Sequence, residues 1–444
     1  MAPSNFPPPT QKELDRIAQL FEVSDEQLVQ ITQAFGQAFN KVPLGLPTYR
    51  MVARQGTALT LDVGWNTVRV GTVTLNGKRS FTTVPKIVEI SKEMMKTDAA
   101  TFFGFLANCV RGFLQENGMQ TNSGLCLGFI FAFGTEKASL AHGKLLSWSK
   151  GYSITGTVGQ DVVELLQTAL DKAKVDVKCT ALINDTVATL LAQSYLQVPC
   201  VMSAIYGVGT NGCYVDKGTS ITKLSQSQGT SMMINTEWGA FNERALLRPT
   251  IYDDQMDKDL ANPGRAFFQK MTCWYYLGEI SRQIFLSLVN QSLLFNGVAT
   301  DLLNKQHSLS SFHLFQIEDA SDDNAAKTVI CDRLGYSPDS VSVLDIEIVR
   351  FVATMVAVRS AKLSACPIAS LLTHLGYATG IASKVPVAVD GELFIGSVQF
   401  ETRLKQGVAA ILGSGFDKKL EFHHVQGKGF VGAALATFQA TNTK

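Results

Sequence analysis

The pattern of apolar and polar residues at the start of the chain predicts helix. Between Gln11 and Phe39, apolar side chains recur at spacings of three, four and seven residues, which places them on one helical face. Ser24 followed by Gln27 resembles a capping box, so the pattern also allows two helices that break near Val23. We therefore expect a helical segment here, either continuous or divided in two.

The next segment changes to short apolar strands that alternate with helices. Strand-length stretches are Leu59–Asp62, Val68–Leu75, Ser80–Val84, Leu125–Phe133 and Val177–Ile183. Asn76-Gly77 predicts a hairpin turn with positive φ. Helical spacing covers Ala99–Gln115 and Val162–Leu170, and a further helix opens at Thr186. This interleaving predicts an α/β architecture with a mixed sheet.

Two distant segments share one plan of strand, polar glycine-containing turn and strand. The first is Leu61–Val70 and the second is Ala204–Val215. Such turns expose backbone N–H groups, and two copies predict a duplicated fold that holds a phosphate chain between its halves. Two unrelated β-hairpins would give the same pattern, and the sequence leaves both interpretations open.

Beyond Met232–Thr236, a further predicted strand, the pattern is mainly helical. The predicted helices are Arg265–Leu294, Leu344–Ser364, Phe400–Leu412 and Val431–Gln439. The polar segment Ser308–Asp323 interrupts this pattern, and we expect it to be rich in loops.

Composition narrows the class of protein. The 444 residues carry 39 Lys and Arg against 38 Asp and Glu, which gives a net charge of 39 − 38 = +1. Nucleic-acid affinity is built from clustered cations, so a nucleic-acid partner is not expected. With 46% apolar and 17% charged residues the chain is typical of a globular protein, and its length fits two domains.

The cysteines and the apolar stretches indicate a compartment. Eight cysteines without paired spacing argue against a zinc site or a disulfide framework and favour reduced, buried thiols. Pro7, Pro8 and Pro9 are expected to break any early helix, and no secretion signal is visible. The most apolar stretch, Gly124–Gly134, has 11 residues, below the ~18–20 that span a bilayer. We expect a cytoplasmic protein without a membrane span.

Asn184-Asp185-Thr186 is the first candidate for chemistry. It stands where a buried strand gives way to a helix, which is the ligand-facing edge of an α/β sheet. A carboxylate there can accept a proton from a hydroxyl, and the amide of Asn184 can bind neighbouring hydroxyls. Asp185 could equally serve only to cap the following helix, and the spacing does not decide between the two.

Three further segments carry groups that suit a phosphate or a polyhydroxyl ligand. Ser149-Lys150 offers a hydroxyl and an ammonium group, and Glu237 precedes the aromatic Trp238 after a strand. Gly427–Gly432 runs into an alanine-rich helix, whose first amides can meet a phosphate. Each also has an ordinary interpretation, as solvated surface, a strand-end turn or a simple glycine turn.

Taken in order, these segments resemble the hexokinase family, sugar kinases of the actin-like ATPase superfamily. The resemblance extends from the N-terminal helix to Leu435. Its most specific segments are Leu127–Gly134, Trp148–Tyr152, Ile183–Leu190, Gly207–Tyr214, Ile234–Phe241, Asn262–Met271 and Arg359–Leu363. It implies an α/β protein with a two-lobed, actin-like (ribonuclease H-like) ATPase fold, in which mixed sheets are flanked by helices and a cleft separates the lobes.

The resemblance also implies two hexokinase-type halves. Residues 10–197 would form the N-terminal half, with a small-lobe core over about residues 58–186. Residues 198–444 would form the C-terminal half, a large lobe that is largely helical after residue 264. A hexose, ATP and Mg²⁺ would bind in the cleft, whereas the oligomeric state is not implied.

By the same resemblance, Asp185 would be the general base on the sugar 6-hydroxyl, and Lys150 would hold that end of the sugar and stabilise developing charge. The sugar ligands would be Ser149, Asn184, Asn211, Glu237 and Gln269. Asp62 would face Mg²⁺ through water. The residues that bind the nucleotide would be Asp62, Gly64, Asn66, Thr67, Arg69, Gly209, Thr210, Gly427 and Gly429.

Several residues depart from the family pattern. Trp65 stands where the first phosphate turn has glycine, and Ala132 and Gly134 replace the serine and proline of the sugar loop. Ala266 and Gln269 replace Gln and Glu near the anomeric end of the sugar. Each lost sugar partner costs about 1–3 kcal/mol, so these changes predict altered sugar choice.

These residues favour ATP-dependent phosphorylation of a hexose at the 6-hydroxyl by a hexokinase-type kinase of altered specificity and reduced activity. Because Ala266 and Gln269 make room for a C2 substituent, an N-acetylglucosamine kinase is an alternative. A hexokinase-like sugar sensor or regulator with impaired turnover is another, since Trp65 and the altered sugar loop face the ligands.

Overall fold

The structure, a computed structural model, describes residues 6–39, 44–47, 55–119, 124–197, 199–217, 231–260, 262–379 and 382–441. Its strands are β1 (Leu44–Pro47), β2 (Gln55–Val63), β3 (Thr67–Asn76), β4 (Phe81–Glu89), β5 (Cys126–Phe131), β6 (Thr135–Ser139), β7 (His142–Leu145), β8 (Lys178–Ile183), β9 (Met202–Tyr206), β10 (Thr210–Lys217), β11 (Ser231–Asn235), β12 (Val385–Asp390) and β13 (Leu420–His424). Its α-helices are α1 (Pro8–Phe21), α2 (Asp25–Phe39), α3 (Ala99–Glu116), α4 (Val162–Lys172), α5 (Asp185–Leu196), α6 (Arg244–Leu247), α7 (Ile251–Lys258), α8 (Phe267–Thr272), α9 (Trp274–Asn290), α10 (Asp301–Asn304), α11 (Ser311–Glu318), α12 (Asp323–Leu334), α13 (Val343–His374), α14 (Glu392–Gly396), α15 (Phe400–Leu412), α16 (Phe416–Lys419) and α17 (Gly429–Thr441).

The N-terminal segment forms two helices, as the cap pattern allowed. The Ser24 hydroxyl accepts the Gln27 backbone N–H at 3.2 Å and starts α2. The expectation from the three prolines was wrong, because α1 begins at Pro8. A proline in the first helical turn lacks an N–H that would have no intrahelical acceptor there, so it favours a helix start.

Two mixed sheets carry the fold. The five-stranded sheet has the order β4-β3-β2-β5-β8, and with the helices packed on it we call it the small lobe. The six-stranded sheet has the order β1-β11-β10-β9-β12-β13, and with its helices it is the large lobe. A separate hairpin, β6-β7, lies beside the small lobe's β8.

The two sheets repeat one plan, which confirms the predicted duplication. In the small lobe β2 is antiparallel to β3 and parallel to β5, and β5 is parallel to β8. In the large lobe β9 is antiparallel to β10 and parallel to β12, and β12 is parallel to β13. The β2-β3 and β9-β10 turns therefore occupy equivalent places, and two unrelated hairpins are ruled out as the interpretation.

Two helices pack face to face between the sheets. Helix α17 lies on β2, β5 and β8 of the small lobe, and α5 lies on β9, β10 and β12 of the large lobe. They approach so closely that a Cβ on Gly432 would lie 2.1 Å from the Ala188 carbonyl oxygen. Glycine is required at this contact, which fixes the floor of the space between the lobes.

The first two helices belong to the large lobe, and the last helix, α17, belongs to the small lobe. The apolar faces of α1 and α2 lie in the large-lobe core, where Phe35 stacks on Phe241 at 4.1 Å between ring centroids. Helix α17, at the other end, completes the small lobe. The division of the chain at residue 197 remains a prediction, and each lobe contains helices from beyond its own half.

The C-terminal half differs from expectation in three places. Strands β12 and β13 lie in the region that was predicted to be mainly helical. The segment Ser308–Asp323, predicted to be loop-rich, contains α11, which Ser310 caps and which buries Leu314 and Phe315. The helix predicted over Arg265–Leu294 is divided at Cys273, whose extended backbone separates α8 from α9.

Candidate active site

A cleft of about 280 Å³ lies between the lobes. It is built where strands end: the β2-β3 turn, the loop after β5 and the end of β8 face the β9-β10 turn and the end of β12. Carboxyl ends of parallel strands meet at one sheet edge, which explains why distant segments converge there. The predicted site residues that line it are Asp62, Gly64, Arg69, Ser149, Lys150, Asn184, Asp185, Gly209, Thr210, Asn211, Glu237, Gln269, Gly427 and Gly429.

Asp185 lines the cleft, while its neighbour caps the helix. The Asn184 side-chain oxygen accepts the Thr186 backbone N–H at 2.9 Å and the Thr186 hydroxyl at 2.7 Å, so Asn184 is the N-cap of α5. Asp185 Oδ1 accepts the same N–H at 2.8 Å. Burial raises the pKa of the Asp185 carboxyl, Asp62 raises it further, and Lys150 opposes the rise. Asp185 therefore both lines the cleft and contacts the first turn of α5, and its role as a base stays a prediction.

Lys150 is held in place on the small-lobe side. Its backbone is left-handed, with φ at 58°, and its Nζ donates to the Ala132 carbonyl oxygen at 2.9 Å. The ammonium group also lies 5.3 Å from the centre of the Phe133 ring. Ser149, the preceding residue, lines the cleft with it. The ordinary interpretation of this pair as solvated surface does not fit these contacts.

Glu237 belongs to a network of side chains on the large-lobe side. Its Oε1 accepts an Asn235 amide N–H at 2.7 Å and an Asn211 amide N–H at 3.3 Å. Its backbone is left-handed, with φ at 51°, which turns the side chain into the cleft. Burial raises the pKa of the Glu237 carboxyl, and the Asn235 amide opposes this. Next to it, the Trp238 indole N–H donates to the Thr210 hydroxyl at 2.7 Å.

An ion pair between Arg69 and Asp62, which face each other across β2 and β3, lies beside the β2-β3 turn. Asp62 raises the pKa of the Arg69 guanidinium, and burial opposes this. Gly64 and Arg69 line the cleft, whereas Asn66 and Thr67 lie outside its lining. The carbonyl groups of those two residues close the turn instead, since they accept the Ile90 and Gly64 backbone N–H groups.

Trp65 projects from this turn across the cleft. Its indole lies in an edge arrangement with the large-lobe Tyr275, at 5.2 Å between ring centroids. Tyr275 in turn packs on Tyr276 and His307. The indole therefore joins the two lobes while it lines the cleft.

Two carboxylates of the cleft were missed in the sequence. Asp390 ends β12, and its Oδ1 and Oδ2 accept the backbone N–H groups of Gly391 at 2.8 Å and Gly427 at 3.4 Å. Glu392 follows Gly391 and lines the same wall. The signal that could have found them is an apolar strand that ends in aspartate shortly before a glycine, as Asp62 does before Gly64.

The substitutions on the sugar side fall in two groups. Ala132, Gly134 and Gln269 line the cleft. A Cβ on Gly209 or on Gly239 would lie 3.0 Å from Gln269 Oε1, so that amide fills the space beside both glycines. Ala266 lies outside the cleft lining, at the start of α8, with a left-handed backbone.

The cleft also offers hard oxygen ligands for a divalent cation. Asp62, near the end of β2, and Asp390, at the end of β12, both line the cleft, one from each lobe. Magnesium prefers carboxylate, water and phosphate oxygens in such a setting. The residues present therefore fit a Mg²⁺ ion that arrives with a nucleotide.

The fold and cleft together define a two-lobed, actin-like sugar kinase. Models of the family described as hexokinase match residues 13–195 and 201–439. Hexokinase of Schistosoma mansoni is 35% identical over 368 residues, which cover 81% of this chain and 78% of that protein. Hexokinase of Schwanniomyces occidentalis is 32% identical over 423 residues, which cover 90% and 86% of the respective chains.

A solved structure agrees with these matches. Hexokinase from Schistosoma mansoni complexed with glucose superposes with a TM-score of 0.87 at 31% identity, over 97% of this chain and 99% of that one. The chain belongs to the hexokinase family, and its activity class is that of a phosphotransferase acting on a hexose. None of the helices in the described ranges combines the length and the apolar character that crossing a membrane requires.

Proposed function

We propose that this protein transfers the γ-phosphoryl group of ATP to the 6-hydroxyl of a hexose, with Asp185 as general base. The observation that carries the proposal is the position of Asp185, which lines the cleft beside Lys150 and opposite Asn211 and Glu237 while Asn184 caps the helix. A general base must lie where it can accept a proton from the substrate hydroxyl, and the position of Asp185 in the cleft supports this role.

Each residue then has a defined task. Asp185 accepts the hydroxyl proton, and its raised pKa makes it a better acceptor than an ordinary aspartate. Lys150, fixed by the Ala132 carbonyl, offsets the charge that develops on the sugar oxygen. Asn211 and Glu237 bind further hydroxyls, and Asn184 contributes its amide NH₂ because its oxygen is engaged in the cap.

The other side of the cleft would hold the nucleotide. Arg69 and the Gly207–Gly209 turn would bind its phosphates, with Asp62 and Asp390 toward the Mg²⁺, directly or through water. Bound Mg²⁺ supplies neutralisation of phosphate charge in this chemistry. That neutralisation matters here because the cleft lining contains five carboxylates and two cationic side chains.

We further propose an altered choice of sugar. Ala132 and Gly134 line the cleft without the hydroxyl or the rigid ring that the family pattern has there, and Gln269 brings an uncharged amide. A neutral amide beside Gly209 and Gly239 tolerates a C2 substituent better than a carboxylate does. The position of Ala266 outside the lining means that Gln269 alone carries the N-acetylglucosamine alternative.

The test is ADP release coupled to sugar addition, over glucose, fructose, mannose, glucosamine and N-acetylglucosamine. Turnover with at least one sugar is expected, and Asp185→Asn should lower kcat by about 10²–10⁴-fold. Asp339→Asn makes the same change on the surface and should leave kcat unaltered. Turnover with none of these sugars, or full activity in Asp185→Asn, would refute the proposal.

A second candidate function is a sugar sensor with impaired turnover. Trp65 favours it, because its indole joins the lobes in a phosphate turn where the family pattern has glycine. A sensor should bind hexose in a calorimetric titration without turnover. Asp185→Ala should then leave its cellular output intact, and loss of that output together with kinase activity would exclude the sensor.

A further inference from the structure

The side chain of Glu392 lies on the second phosphate turn, Gly207–Gly209. A Cβ added to Gly207 would be 2.1 Å from Glu392 Oε2, so the carboxylate rests against the backbone of the turn. The Val208 backbone N–H lowers the pKa of this carboxyl group, so this donor faces the carboxylate. Backbone N–H groups of such turns are the donors that anionic phosphate oxygens accept in nucleotide sites.

Backbone geometry brings the two loops together. Gly391 has φ at +114°, and a Cβ there would lie 2.4 Å from the Tyr206 carbonyl carbon and oxygen. Gly207 follows Tyr206 and has no side chain to exclude Glu392. The loop after β12 therefore touches the β9-β10 turn through two glycines, and the glutamate that follows is delivered to the turn.

The surrounding charges make this position relevant to an anion. The charged groups that act on the Glu392 carboxylate are Asp390, which repels it, and the Lys150 ammonium group, which attracts it. Glu392 remains in contact with solvent, so it can leave the turn without breaking the fold. An anion that binds the turn must either displace this carboxylate or accept its repulsion.

We propose that Glu392 is an internal competitor for the nucleotide phosphates, whose carboxylate occupies the second phosphate turn and sets the affinity for the phosphoryl donor. This inference rests on the proposed function, since it concerns the donor side of the same cleft. It acts on the polyphosphate portion of the donor and leaves binding of the adenosine portion and of the sugar unaffected.

The test uses inorganic tripolyphosphate with Mg²⁺ as the probe, titrated calorimetrically into the full chain. Glu392→Gln keeps the shape of the side chain and removes its charge, and Glu392→Ala removes the side chain beyond Cβ. Both should lower the Kd for tripolyphosphate by roughly 5- to 50-fold. Glu347→Gln, the same change on an exposed face of α13, should leave the Kd unaltered.

Equal Kd values in the wild type and both Glu392 variants, or absence of tripolyphosphate binding by all of them at millimolar concentration, would overturn the inference. Sugar turnover is measured separately on the same proteins. Tighter tripolyphosphate binding in the variants without turnover on any sugar would support the inference and refute the proposed function, so the two failures are distinguishable.

Discussion

The proposed sugar side and the proposed nucleotide side of the cleft are organised differently. On the sugar side, side chains hold each other: Asn235 and Asn211 donate to Glu237, and the Ala132 carbonyl accepts Lys150. On the proposed nucleotide side, phosphate binding would rely on two backbone turns, and the side chains of Trp65 and Glu392 lie at the first and the second turn. Residues within the side-chain network hold each other in position, whereas the space above a backbone turn can be filled by a single side chain. We therefore expect substitutions on one side to change catalysis and sugar binding, and substitutions on the other side to change the affinity for the phosphoryl donor.

The largest expected effect that separates the two sides comes from Glu237→Ala. This change removes a proposed sugar ligand and the acceptor for two amides, and each unpaired partner costs about 1–3 kcal/mol. We expect the KM for the sugar to rise about 10- to 1000-fold, with the Kd for nucleotide nearly unchanged.

Glu243→Ala, an exposed position just beyond it, is the matched control for this measurement. A parallel loss of nucleotide affinity in Glu237→Ala, measured by calorimetry, would mean that the two sides are coupled and would end the comparison.

The pH dependence of kcat/KM tests the electrostatics of Asp185. A base acts when ionised, so a raised pKa moves the acid limb to higher pH, and activity is lost as pH falls through that pKa. Asp62→Asn removes a repelling carboxylate and should shift the limb to lower pH. Lys150→Gln removes an attracting cation and should shift it to higher pH.

Only the midpoint of the acid limb is compared, because both variants also lower the rate. Shifts in the same direction for Asp62→Asn and Lys150→Gln would show that another group controls the limb.

A smaller effect is expected from the contact that joins the lobes. Aromatic pairs contribute about 0.5–1.5 kcal/mol, so Trp65→Gly should lower the Kd for nucleotide by roughly 2- to 10-fold if the pair must separate on binding. Tyr275→Leu breaks the same pair but keeps the indole in the turn. Equal effects identify the pair as the cause, and an effect of Trp65→Gly alone identifies crowding of the turn; no change in either variant would exclude both.

The smallest effect concerns the sugar loop. Ala132→Ser adds one hydroxyl at the cleft wall, and a single hydrogen bond contributes about 0.5–1.5 kcal/mol, or roughly 2- to 12-fold in KM for glucose. Steady-state kinetics on glucose and N-acetylglucosamine measure the change. If the KM for glucose does not fall, Ala132 is not the cause of the altered sugar choice. Gln269→Glu is then the next variant to measure.

Local patterns predicted much of this architecture, and their failures have physical causes. Helix α15 covers the predicted Phe400–Leu412, because its apolar face repeats with helical spacing. Strand β12 escaped notice because its few apolar residues include Pro386 and its neighbours are helical. Helix α11 escaped notice because polar residues flank it on both sides, although half of its own eight residues are apolar and the fold buries Leu314, Phe315 and Ile317.

The sequence predicted only those cleft residues that lie in segments with a recognisable local pattern. Asp185 and Lys150 were found because each lies at a strand or loop end with a distinctive neighbour. Asp390 and Glu392 reach the cleft because β12 pairs with β9, a strand that lies far from it in the sequence. No local sequence pattern indicates that pairing. Contacts between distant strands decide which carboxylates share a site.

The exchange of helices between the lobes bears on synthesis of the protein. The sheet of the small lobe is translated well before α17, which covers one of its faces. At about 5–20 residues per second, the roughly 230 residues between α5 and α17 take on the order of 10–50 s to make. During that interval the nascent sheet exposes Ala58, Val73 and Ile130 to water, so this face is where chaperones are expected to bind.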